Sequence, residues 1–93
     1  MPLYLKIVVQ LRLPPKNLAL TDYPIIDIEG TGIRIRELIR ESGHTVPEVS
    51  EYLGASTSLV YRYLRGEVLP SIDRIVALSV YLEVPIDDII AVD

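Results

Sequence analysis

TVPEVSEYLGASTSLVYRYLRG, residues 45–66, carries the clearest structural signal in this chain. Thr45 followed three residues on by Glu48 is the pattern of a capping box. The hydroxyl accepts a first-turn N–H and the carboxylate returns to the amide of Thr45. Pro47 falls in the same turn, where a missing N–H is harmless. Val46, Val49 and Leu53 share one helical face. Gly54 suits the left-handed residue that ends a helix. Ser56 is placed to cap a second helix with Val60, Tyr63 and Leu64 as its buried face, and Gly66 closes it. The spacing predicts short helices over 46–53 and 57–65.

Two capped helices joined by a tight glycine turn are the sequence form of a helix-turn-helix. Upstream, residues 31–42 read as a preceding helix with Ile35, Leu38 and Ile39 inward and Gly43 as its stop. After the loop GEVLPS, residues 66–71, Pro70 ends any continuation and Ser71 caps another helix. That helix runs to about residue 82, with Ile72, Ile75, Leu78, Ser79 and Leu82 inward. Val84-Pro85 begins a short fifth helix, whose Ile86, Ile89 and Ile90 complete the core. Asp87 and Asp88 sit at its N-terminus, where the dipole favours negative charge.

These stretches resemble the Cro/C1-type (XRE-like) helix-turn-helix DNA-binding domains of bacteria and phages. The matching residues are GIRIRELIRESG (32–43), T-x-x-E (45–48), LGAS (53–56), VYRY (60–63) and RGEVLPSIDRIVALSVYLEVPIDDII (65–90). YPIIDIEGTG, residues 23–32, is similar to the lead-in of one bacterial subgroup. The resemblance implies a mainly α, five-helix, lambda-repressor-like bundle over 23–93. It also implies that Thr57, Ser58 and Arg62 reach base edges, with the fork of Arg62 suited to guanine O6 and N7. Thr45 and Ser71 mark helix N-termini whose amides can hold phosphates. Arg34, Arg36, Tyr61, Arg65 and Arg74 are candidate backbone contacts.

Three departures matter. Many relatives have glutamine where this chain has Val46, so one common phosphate contact is missing. An arginine–glutamate pair of many relatives is replaced by Ile39 and Leu64, which should pack together. Replacing a buried ion pair by apolar residues is often neutral or stabilising. His44 stands where relatives carry leucine, which implies a partly buried structural role.

The 93 residues suffice for one domain with one core. With no cysteine there is no disulfide framework, usual zinc finger or thiol chemistry, and a cytoplasmic protein is expected. One histidine and scattered carboxylates make neither a metal site nor a catalytic constellation, so no cofactor and no enzyme is expected. No run reaches the roughly 20 apolar residues that span a bilayer. Nine basic residues against thirteen acidic ones leave a net charge of −4, which argues against a generally adhesive nucleic-acid binder. The distribution predicts polarity instead. Arg34, Arg36, Arg40, Arg62 and Arg65 form one basic face, while Glu83, Asp87, Asp88 and Asp93 gather late.

Residues 1–22 read as a β arm. In LYLKIVVQLRL (3–13), Leu3, Leu5, Ile7, Val9, Leu11 and Leu13 alternate on one side, and Pro14-Pro15 ends the run. A lone strand needs a partner for its backbone. Either NLALT (17–21) returns as a hairpin, or the same strand of a second subunit pairs with it about a two-fold axis. Residues 22–32 connect the arm to the bundle, with Tyr23, Ile25, Ile26 and Ile28 tucked against it and the glycines around Thr31 making a flexible entry.

The leading function is a sequence-specific transcriptional regulator that binds double-stranded DNA as a homodimer. The alternative is an interaction module that keeps the fold, has weak or no DNA binding and engages a protein such as a toxin. If the arm is the dimer contact, deleting residues 1–13 should convert a dimer to a monomer in light scattering. An unchanged mass would remove the arm from the interface.

Overall fold

The computed structural model describes residues 24–93. Among them are four α-helices: α1 (Ile28–Ser42), α2 (Val46–Leu53), α3 (Thr57–Leu64) and α4 (Ile72–Leu82). A single 3₁₀ turn follows at Ile86–Asp88. The expected arm at 1–22 lies outside the described residues, as does Tyr23.

The apolar faces meet in one cluster. Ile35 and Ile39 come from α1, Val49 from α2, Val60, Tyr63 and Leu64 from α3, and Ile75, Leu78 and Leu82 from α4, with Ile89 closing the bottom. Ile39 and Leu64 thus both lie in the apolar core, as their replacement of an ion pair implied. The small-residue position between α2 and α3 holds Ser50. It is buried, and its hydroxyl donates to the Pro47 carbonyl at 2.9 Å, so the polar atom is satisfied locally.

The structure corrects the start of α1. The helix begins at Ile28, capped by the Asp27 carboxylate accepting from Gly30 N–H at 3.0 Å. Gly30 and Gly32 are therefore inside the helix and are not a flexible entry. Glycine weakens an isolated helix by about 1 kcal/mol relative to alanine, so a tertiary reason is needed, and the structure supplies one for Gly32. A Cβ there would lie 2.5 Å from the Tyr63 carbonyl oxygen and 3.0 Å from that of Leu64. Position 32 is where the backbone of α1 touches the end of α3.

The chain's far end is also corrected. The expected fifth helix is only the 3₁₀ turn, because the chain beyond it is drawn back along α1. Ala91 N–H donates to the buried Thr31 hydroxyl at 3.0 Å, and Asp27 N–H donates to the Ala91 carbonyl at 2.8 Å. Asp93 N–H donates to the Ile25 carbonyl, completing an antiparallel bridge between Ile26 and Val92. A continued helix would forfeit these bonds. Ile89 remains fully buried, with Ile86 and Ile90 packed on the core as expected.

Ile25, Ile26 and Ile28 do not tuck against the bundle but stay exposed. The bridge uses the backbone at Ile25 and Ile26 and leaves their side chains outside, and Ile28 opens α1 on its exposed side. Ile72 is also outward, at 73% exposure. It continues the line of Val76 and Val80, four residues apart on the outer side of α4, and does not join Ile75, Leu78 and Leu82.

Gly32→Ala should reverse the usual sign of a glycine-to-alanine change in a helix. The new methyl meets backbone, so a loss of about 1–3 kcal/mol is expected in urea unfolding. Equal or greater stability would show that the α1–α3 approach can relax.

Candidate nucleic-acid interface

The outward face of the helix-turn-helix starts from its caps. Thr45 Oγ1 accepts from Glu48 N–H at 3.3 Å, and Glu48 Oε1 accepts from Thr45 N–H at 2.8 Å, completing the capping box. The chain then turns at Gly54, with φ at 66°, and Ala55 N–H returns to the Ser50 carbonyl at 3.0 Å. Ser56 Oγ accepts from Leu59 N–H at 3.1 Å and starts α3. Inward placement of Val60, Tyr63 and Leu64 forces Thr57, Ser58, Tyr61, Arg62 and Arg65 outward, and all five are exposed. These are the α3 residues selected from sequence, and the structure brings them together.

The base of α3 is held from two sides. Arg36 Nη2 donates to the Leu64 carbonyl at 3.0 Å, placing a cation where the helix dipole is negative. Arg74 Nη1 donates to the Tyr63 hydroxyl at 3.1 Å, tying α4 to α3. Ser71 Oγ accepts from Arg74 N–H at 3.3 Å, so the predicted α4 cap is present. Both arginines therefore hold α3 in place and lie beside it.

Arg34 does not join them. Its Nη1 donates to the carbonyls of Asp87 and Ile90, at 3.0 and 2.9 Å. It lines a shallow depression with Glu37, Leu38, Glu41, Asp87 and Asp88. Arg34 and Arg36 are two residues apart, so a helix sends them to different sides. The single basic face expected from sequence is thus divided, with Arg34 on the acidic tail side.

His44 is half-buried and lies tilted against Tyr81, with ring centroids 4.4 Å apart. Tyr81 in turn stacks on Tyr52 at 4.3 Å. The ring ladder spans the start of α2, its last turn and α4, consistent with packing as the role of His44.

Sequence reasoning misses one residue beside the site. Glu67 forms an ion pair with Arg65 and lies 3.6 Å from Arg62. Its signal is the order Arg-x-x-Arg-Gly-Glu, in which a left-handed glycine turns the next side chain back over the helix end. Gly66 has φ at 72°. A Cβ there would also press within 2.7 Å of Glu29 Cα.

Residues 32–90 match the family model described as a helix-turn-helix domain. The chain belongs to this helix-turn-helix family. A Pyrococcus furiosus protein classed as an HTH-type transcriptional regulator is 36% identical over 76 residues, covering 74% of this chain. The chain spans 24% of that relative's length. Among solved structures, the helix-turn-helix is similar to the restriction-modification controller protein C.AhdI of Aeromonas hydrophila. The TM-score is 0.63 and the identity 25%, with 68% of this chain and 96% of that one covered. The clp gene regulator ClgR of C. glutamicum shares the fold, with a TM-score of 0.61 and 21% identity over 66% of this chain and 79% of that one. So does the DNA-binding domain of BldD, at 0.60 and 19% identity over 70% and 94%. Among the described residues no helix is long and apolar enough to cross a membrane.

The capping box gives the helix-turn-helix a pH signature. Hydrogen bonds from the Thr45 backbone, and then from its hydroxyl, hold the Glu48 carboxyl below its ordinary 4.5. A depressed folded-state pKa adds stability above the unfolded value and loses it as pH falls through the folded one. Glu48→Gln, which retains an acceptor without the charge, should be less stable than wild type at neutral pH, and the difference should vanish under strong acid. Parallel stability–pH curves would mean that the carboxylate contributes nothing through its charge.

Proposed function

We propose that this helix-turn-helix is a sequence-specific DNA-binding regulator in which α3 enters the major groove. The outward group Thr57, Ser58, Tyr61, Arg62 and Arg65, on a helix held by caps and by Arg36 and Arg74, carries this reading. Thr57, Ser58 and Arg62 contact base edges, with the Arg62 fork on guanine. Tyr61 and Arg65 contact phosphate beside them. The amides at the N-termini of α2 and α4, capped by Thr45 and Ser71, hold flanking phosphates. Arg36 and Arg74 have further N–H groups for the same strand, whereas Arg34 is given over to the tail. The names of the relatives, which include transcriptional regulators and a DNA-binding domain, support DNA as the partner.

The reader works as a homodimer on half-sites about one helical turn apart, with the alternating apolar sequence at 3–13 as the proposed contact. A second reading, a protein-interaction module, draws support from the exposed line Ile72, Val76 and Val80 and from the overall acidity.

Fluorescence anisotropy with DNA from upstream of the protein's own gene, against a scrambled duplex at two salt concentrations, separates the readings. The native fragment should bind more tightly, affinity should fall with salt, and Arg62→Ala should lose about 1–3 kcal/mol of discrimination. Absence of binding to either duplex at low salt, where phosphate attraction is strongest, would favour the interaction module.

A further inference from the structure

Reading α3 as the DNA-contacting helix leaves Glu67 unexplained. Its position is set by the backbone. Glu67 N–H donates to the Arg62 carbonyl at 3.0 Å and Gly66 N–H to that of Tyr63 at 3.1 Å, the paired bonds of a Schellman ending. The carboxylate therefore comes to rest over the last turn of α3. One oxygen bonds Arg65 Nε, and the other lies 3.6 Å from Arg62 Nε. Helix stabilisation does not account for an anion there, because the C-terminal end of a helix favours cations. The two guanidinium groups do account for it. Arg65, followed by Arg62, holds the Glu67 carboxyl below its ordinary range, so it stays charged at neutral pH.

We propose that Glu67 is an internal competitor for DNA phosphate. It engages Arg62 and Arg65 in the free protein and weakens attraction to arbitrary duplex more than recognition of a preferred site. This rests on the DNA-binding reading above. The asymmetry follows from which edge of each guanidinium is used. Both contacts involve Nε. The terminal fork of Arg62 can meet guanine O6 and N7 while Glu67 stays beside Nε. A phosphate drawn to Arg65 has to displace a charged hydrogen bond or sit next to a second anion. Both pairs are about half-exposed, and exposed pairs are weak. Glu67 therefore acts as a reversible brake and does not block the site.

The test compares the full chain with Glu67→Gln on sonicated mixed-sequence DNA across a salt titration. It then uses the tightest duplex that wild type selects from a random pool. The variant keeps the backbone bond to Arg62, so its far-UV spectrum should match wild type. It should bind mixed DNA about two- to fivefold more tightly. The slope of log K against log salt should steepen by about 0.9 for each additional phosphate neutralised. The selected duplex should benefit less, so the ratio of the two affinities should fall. If wild type binds DNA but the variant binds equally or more weakly with an unchanged slope, Glu67 is not a competitor and the DNA reading stands. If neither protein binds any duplex at low salt, the DNA reading fails and this proposal fails with it.

Discussion

Position 32 carries no side chain, and this lets the backbone of α1 come against the last carbonyls of α3. That close approach fixes the height of α3 above the core, and Arg36 from the same helix then reaches the Leu64 carbonyl. The carbonyls at a helix end need partners outside the helix. Here an arginine on α1 and the amides of Gly66 and Glu67 supply them. The orientation of the outward face is thus set by the inward packing of Val60, Tyr63 and Leu64, and these contacts pin the end of the helix.

Charge is used sparingly. A chain with net charge −4 cannot rely on bulk attraction to a polyanion. Most arginines among the described residues serve an internal bond first. Arg34 holds the tail, Arg36 and Arg74 hold α3, and Arg62 and Arg65 share Glu67. Such a surface suits a binder whose selectivity matters more than its raw affinity, since sequence-independent binding comes almost wholly from phosphate neutralisation.

Much of this is legible in the sequence because the signals are local. The Thr45–Glu48 box, the Ser56 and Ser71 caps and the stripes of α2 and α3 each depend on residues three or four apart, and each appears where the pattern puts it. The outward α3 group follows from the same periodicity. The differences come from contacts between distant parts of the chain. Gly30 and Gly32 look like a flexible entry because their neighbours Ala91, Tyr63 and Leu64 are far away in sequence. Periodicity overextends the fifth helix because no local rule shows Thr31 claiming the amide of Ala91. It turns Ile72 inward because the first residue of a helix carries too little periodic context. Arg34 and Arg36 group naturally by charge, although two residues along a helix separate their directions.

The bridge between Ile26 and Val92 brings together positions that nearly span the described chain. Because the pairing is antiparallel, residue 25 lies beside residue 93. A polypeptide threaded through this unit would enter and leave at one doorway. Such a unit has the geometry of a cassette. With its two ends side by side, it fits into a loop of a larger protein without pulling the host's two cut ends apart.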